Sequence, residues 1–211
     1  MPTEIVSSLI VTNIKGCLKT KGYKQFKCVW NRKVNAFTHV LEIQDMRGAN
    51  ADTASFTINF GVFVPDVLEM VWGKTDPKCV KDVDCVIAER IGRLMPGGLD
   101  KWWRVDPAVN LEAVLREVID AINTYSEQFF DKVRTLEGIR AYMIEQKDDT
   151  NPYKLRGIYL AVIEWMLGNE VRSKTLIDSL IEDKVWGERA KRVNRYLTSL
   201  SLLAEGESAK S

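Results

Sequence analysis

SFTINFGVFV, residues 55–64, decides the fold of the first half of this chain. Phe56, Ile58, Phe60, Val62 and Val64 alternate with Thr57, Asn59, Gly61 and Phe63. A period of two over that length, rich in aromatic and β-branched residues, predicts a strand with one strongly apolar face. The other face carries Thr57, Asn59 and Gly61, two hydrogen-bonding side chains and a residue with none.

The elements upstream fit around that strand. Pro2 and Thr3 open a predicted helix running to about Thr20, with Val6, Leu9, Ile10, Ile14, Cys17 and Leu18 in one stripe and Gly22 as its C-terminal cap. Residues 26–32 alternate Phe26, Cys28 and Trp30 with Lys27, Val29 and Asn31, which predicts a second strand. Val34-Asn35 is a hairpin turn, and residues 37–45 alternate Phe37, His39, Leu41 and Ile43 with Thr38, Val40, Glu42 and Gln44. Polar, glycine-containing residues 46–53 read as a loop. Connections this short leave no room for helical crossovers, so the strands form an antiparallel meander.

Downstream, Pro65 ends the central strand, and residues 67–72 are an apolar patch that fits one helical turn or a strand end. Residues 73–82 read as a loop, 85–94 as a fourth strand with Gly92 inside it, Pro96-Gly97-Gly98 as a turn, and 102–105 as a short last strand. Asp106-Pro107 starts a helix whose stripe runs from Leu111 to Val133. Helical periodicity then continues through 136–146, 155–168, 171–183 and a last stripe of Val193, Tyr196, Leu197, Leu200 and Leu203, with a break at 148–152 and a frayed polar tail at 204–211. The pair 155–168 and 171–183 has the form of a helical hairpin, without the repetition of a repeat array. The expected architecture is α+β: an antiparallel β-sheet with flanking helices, followed by an all-helical C-terminal part. The expected domains are 1–133 and 134–205.

Composition narrows the function classes. The 211 residues are 45% hydrophobic and 28% charged, with a formal net charge of +1, so there is no global field to recruit nucleic acid or an anionic membrane. No apolar run is long enough to span a bilayer, and the N-terminal stretch has no basic region before its apolar residues. Cys17, Cys28, Cys79 and Cys85 are too sparse for a stapled secreted domain and read as reduced thiols of a cytoplasmic protein.

No catalytic constellation is evident. His39 is the single histidine and lies on the apolar side of its strand. There is no Cys-x-x-Cys, phosphate loop or nucleophile elbow, so no catalytic residue, metal site or cofactor is expected. Two features have binding character. Residues 15–33 hold Lys15, Lys19, Lys21, Lys24, Lys27, Arg32 and Lys33 with Tyr23, Phe26 and Trp30 and no acidic residue. Arg90, Arg93, Lys101 and Arg104 surround Trp102-Trp103, whose rings must point to opposite faces of a strand.

An ordered set of residues then resembles a known family. It comprises Lys21-Gly22-Tyr23, Phe26 with Trp30-Asn31-Arg32, Ile43-Gln44, Phe56 to Val62, Cys85 with Arg90 to Leu94, and Trp102-Trp103. Over about residues 5–130 this is similar to the bacterial domain-of-unknown-function family 4304. The chain departs from that pattern after Gln44, where Asp45-Met46 replaces a polar-basic continuation. The resemblance implies an α+β domain with an antiparallel sheet and no established reaction. It draws attention to Gln44, Asn59, Gly61, Arg90, Trp102 and Trp103, to which Arg104 is added from the basic cluster. Gln44 and Asn59 share a sheet face and can meet across it.

The function expected from these features is a non-enzymatic cytoplasmic module that binds a protein or peptide, one form of which is toxin neutralisation. A small-molecule or nucleotide-handling enzyme with a site on the sheet face is the alternative. Nucleic-acid binding through the basic N-terminal segment is a further one.

Overall fold

A computed structural model describes residues 3–45, 54–73, 77–105, 110–146 and 154–208. The fold is α+β: six strands in an antiparallel sheet and eight helices among the described residues, with the C-terminal part helical. Two compact units are present, Met1–Val64 with Pro77–Lys132, and Pro65–Asp76 with Val133–Ser211.

The first unit is the sheet. β1 (Lys24–Phe26), β2 (Val29–Val34), β3 (Phe37–Asp45), β4 (Ala54–Phe63) and β5 (Ile87–Arg90) follow one another in space. β6 (Trp103–Val105) also pairs with β4. The meander read from the sequence is present, with Val40 opposite Gly61 and Leu41 opposite Phe60. Phe56, Ile58, Phe60 and Val62 have almost no exposure. α4 (Leu111–Lys132) lays Phe129 and Phe130 against Phe60, with ring centroids 6.2 and 5.8 Å away. Each such buried apolar side chain contributes about 1.5–3 kcal/mol. α1 (Thr3–Thr20) packs along α4 and buries Ile10, Ile14 and Leu18.

Several boundaries differ from the sequence reading. Residues 26–32 are not one strand, because Lys27 at φ 56° and Cys28 form the turn that joins β1 to β2. The expected strand 85–94 shrinks to β5, and Ile91–Leu94 forms a single helical turn, α3. A Cβ at Gly92 would run into the backbone of Leu99 and Lys101, so that glycine marks a close crossing of chain segments. α4 is capped by Asn110, whose side chain accepts from the N–H groups of Glu112 and Ala113. The start expected at Asp106-Pro107, the loop 46–53 and the break at 148–152 lie outside the described residues.

The second unit is helical. The apolar patch after Pro65 is α2 (Pro65–Trp72), with proline at the first helical position where its missing N–H costs nothing. It joins α5 (Leu136–Glu145), α6 (Leu155–Met166), α7 (Glu170–Asp178) and α8 (Gly187–Ser208). α6 is the buried core helix, and Gly168 at φ 78° closes its end. α7 is shorter than the stripe 171–183 suggested, because the chain turns before α8. There Asp183 accepts from the N–H groups of Val185 and Trp186 and pairs with Lys154 at 2.5 Å. The Lys154 hydrogen bond, with these N–H groups, holds its carboxyl at about 2. α8 continues through Ser208, so the frayed tail expected from residue 204 is instead helical to that point.

One charged group ties this unit together. Glu164 of α6 is fully buried. It accepts from Arg140 of α5 at 2.8 Å, Arg172 of α7 at 2.8 Å and the Asn169 side chain at 2.8 Å. A buried carboxylate is tolerated only when satisfied in this way. Glu164→Ala is expected to cost about 2–4 kcal/mol in denaturant unfolding, less than breaking a fully buried pair because Arg140 and Arg172 can turn to solvent.

Candidate functional site

The polar face of β4 is where the sequence-selected residues gather. Register puts Glu42, Asn59 and Arg90 side by side on β3, β4 and β5. Asn31, Val40, Gly61 and Ala88 form the next row. Gln44 lies opposite Thr57, and Arg104 opposite Ser55.

Two chain segments cover this face, and strand side chains hold them there. The Asn31 amide grips Val80 twice, donating to its carbonyl at 2.8 Å and accepting from its N–H at 3.0 Å. Glu42 accepts from the Asp82 N–H at 3.0 Å. Asn59 Nδ2 donates to Gln44 Oε1 at 3.0 Å and to Asp82 Oδ2 at 2.6 Å. Thr57 donates to the Lys101 carbonyl at 2.8 Å. Gln44 and Asn59 therefore do meet across the sheet, and Asp82 joins them from the covering loop. Asn59 is 6% exposed, and its Oδ1 is buried with no hydrogen-bond partner among the described residues.

The space above Gly61 is filled. A Cβ there would lie 2.5 Å from Cys85 Sγ and 3.0 Å from Cys85 Cβ. The glycine admits a thiol of the chain itself, which is the use of a strand glycine for close approach. Burial raises the Cys85 thiol well above its ordinary value, and Cys28 and Cys79 are raised in the same direction for the same first cause. Such thiols are poor nucleophiles. None of the four cysteines is in a disulfide.

Glu42 is the perturbed acid of this face. Burial raises its pKa, and the charge and hydrogen bonding of the Asp82 carboxyl act in the same direction. The Asp82 N–H and Lys81 oppose that shift. Its ionised form is therefore favoured less in the folded state than in the unfolded chain.

Arg90, Trp102 and Asp100 form a second, more open group. Arg90 is ion-paired to Asp100, and Trp102 Nε1 donates to the same carboxylate at 3.1 Å. The Arg90 guanidinium sits 5.1 Å from the centre of the Trp102 ring. All three are half-buried or exposed. Trp103 points the other way, into the core, 5.5 Å from the Phe56 ring and 2% exposed. Arg104 is exposed on the polar side of β6. The adjacent tryptophans thus divide as strand geometry requires: Trp103 packs and Trp102 is available.

The apolar side of the sheet holds a charged cluster that the sequence reading passed over. Arg32 donates to both oxygens of Glu127, at 3.2 Å each, and approaches His39 Nδ1 at 3.2 Å. Guanidinium only donates, so Nδ1 must accept and the His39 ring proton sits on Nε2. His39 stacks on Phe130 with centroids 4.0 Å apart, so it packs as an ordinary strand residue. Desolvation pushes the Glu127 carboxyl up, but the Arg32 hydrogen bonds and the charges of Arg32 and Lys21 outweigh it and hold it low. Tyr23 and Trp30 of the basic stretch are buried, and burial raises the Tyr23 hydroxyl.

Asn31, Glu42, Asp82 and Asp100 are the site residues that sequence reasoning missed. The faces of Asn31 and Glu42 were legible from alternation. Asp82 opens a single 3-10 turn and Asp100 sits in an irregular segment, and at neither does periodicity signal a long-range partner.

Two measurements test this geometry. Gly61→Ala is expected to lose about 1–3 kcal/mol through overpacking, and Cys85→Ala in the same chain to recover part of that loss. Glu42→Gln is expected to stabilise the fold at neutral pH. A raised carboxyl favours folding fully below its ordinary value of 4.5, and that contribution is lost as pH rises through the folded value. The advantage of Glu42→Gln should therefore vanish below pH 4.5 in urea titrations.

No curated protein and no solved structure matches the chain. A family profile, the domain of unknown function DUF4304, matches residues 14–132. That span is more than half of the chain and contains all six strands of the sheet. The chain belongs to the DUF4304 family.

Proposed function

We propose that this protein is a non-enzymatic interaction module of the bacterial cytoplasm, which binds another protein through the segments that cover the polar face of its sheet. The observation that carries this reading is the outward side of those segments. Val83 and Leu99 are each 78% exposed, and Arg90 and Trp102 both hold Asp100, the residue that follows Leu99. An exposed aliphatic residue adjoining a carboxylate that a tryptophan and an arginine share has the composition of an interface hot spot.

The alternative readings draw less support. An enzyme with a site at Asn59, Arg90 and Trp103 needs those side chains to converge on open space. Asn59 is instead bound beneath Asp82, and Trp103 packs on Phe56. Nucleic-acid binding through residues 15–33 needs several exposed rings, whereas Tyr23 and Trp30 are buried, Phe26 is the exposed ring of the three, and Lys21 and Arg32 are paired with Glu127. No helix of the described residues is long and apolar enough to cross a membrane. The free cysteines agree with a reducing compartment.

A photoreactive residue placed at Leu99 in the native host tests this reading. One discrete adduct is expected, reduced about tenfold or more by Trp102→Ala. The same residue placed at exposed Lys132 should give none. No adduct, or equal adducts from both positions, contradicts the reading.

A further inference from the structure

The second unit carries a basic and apolar face that its own packing does not use. α8 turns Ala190, Val193 and Leu197 into the core. Arg192, Arg195, Tyr196, Ser199, Leu202 and Leu203 follow at offsets that place them together on the opposite face. Tyr196 is 41% exposed, and Leu202 and Leu203 are exposed by 63% and 66%. Arg192 and Arg195 have no ion-pair partner among the described residues.

A groove of about 460 Å³ runs beside this face. Glu69, Met70 and Gly73 at the end of α2 line one side, and Arg192, Arg195 and Tyr196 of α8 the other. The wall is built rather than incidental. Arg189 donates to the Val71 carbonyl at 3.0 Å and lies 4.1 Å from the centre of the Trp72 ring. Trp72 in turn donates to the Tyr159 hydroxyl at 3.0 Å. Gly73, at φ 64°, lets Arg192 pass close: a Cβ there would lie 2.8 Å from its Nη2.

We infer that this face docks an acidic amphipathic peptide: a helical segment of a partner protein with aspartate or glutamate beside large aliphatic or aromatic anchors. Charge complementarity selects the acidic residues, because the Arg192 and Arg195 guanidinium groups, unpaired among the described residues, lie one helical turn apart and each can hold a carboxylate in two hydrogen bonds. The apolar anchors are set by Met70 and Tyr196 in the groove and by Leu202 and Leu203 farther along α8. This is the helix-in-groove mode of recognition. An anionic membrane surface fits less well, because the site is concave. A nucleic-acid backbone fits less well because Leu202 and Leu203 make one end of the face aliphatic and the chain as a whole is nearly neutral. The inference does not rest on the surface around Leu99 and Trp102, which consists of other residues, and each can fail alone.

The test is selection of a random peptide display library against the full chain. Enriched peptides should pair acidic residues with leucine-, isoleucine- or phenylalanine-type anchors. Their affinity should fall about tenfold or more for the Arg192→Glu, Arg195→Glu double variant, and similarly for Leu202→Asp with Leu203→Asp. All four positions are exposed, so circular dichroism of both variants should match the parent. Raised salt should weaken the acidic peptides and leave the apolar contribution. Four results overturn the inference: no enrichment, enriched peptides without acidic residues, equal binding to the charge-reversed variant, or capture of the chain by phosphatidylserine vesicles with no peptide bound.

Discussion

A strand buried on both faces must find a partner inside the protein for nearly every polar group it carries, and β4 is such a strand. Phe56, Ile58, Phe60 and Val62 are buried on one side, where Phe60 meets Phe129 and Phe130 of α4 and Phe56 meets Trp103, which the hydrophobic effect alone explains. The other side carries Thr57, Asn59 and Gly61, and water is largely excluded from it. An unsatisfied buried amide or hydroxyl costs about 1–3 kcal/mol, a large part of the stability of a domain this size. The covering segments supply the missing partners: the Lys101 carbonyl for Thr57, the Asp82 carboxylate for Asn59, and the Cys85 thiol in the space over Gly61.

The direction of dependence matters for function. The strands do not merely tolerate the loop at residues 77–86. Asn31, Glu42 and Asn59 reach out to its backbone and side chains and fix its path. An irregular segment held at several points presents its outward side chains in one arrangement, and such preorganisation favours recognition because less entropy is lost on binding. Val83 is held out to solvent in this way, and Leu99 lies exposed in the other covering segment, which Thr57 ties down at Lys101. The polar residues that first suggested a site on the sheet act one layer below the surface they support.

The parts of this structure that were legible in the sequence are those governed by periodicity. β3 and β4, α1, α5 and α6 all follow alternation or a helical stripe, and their bounds lie within a few residues of that pattern. The face shared by Gln44 and Asn59 was readable for the same reason. Where periodicity gave way to local backbone geometry, the reading failed. Lys27 adopts a left-handed conformation that lysine does not announce, and so splits an alternating run into two strands. Gly92 was placed inside a strand and is a crossing point of two chain segments. Asp82, Asp100 and Glu164 owe their roles to contacts far apart in sequence. Trp102-Trp103 lies between these cases: alternation required the rings to part, but only the pairing of β6 with β4 decides that Trp103 goes inward.

Amide hydrogen exchange tests the central claim directly. The N–H groups of Val80 and Asp82 belong to no strand or α-helix, yet Asn31 and Glu42 accept from them. If the covering loop is locked to the polar face of the sheet, these two amides should be protected to a degree approaching the amides of β4, because they open only when the face opens. Exchange at the rate of an exposed loop, with β4 still protected, would show that the polar face is uncovered in solution and would contradict the account.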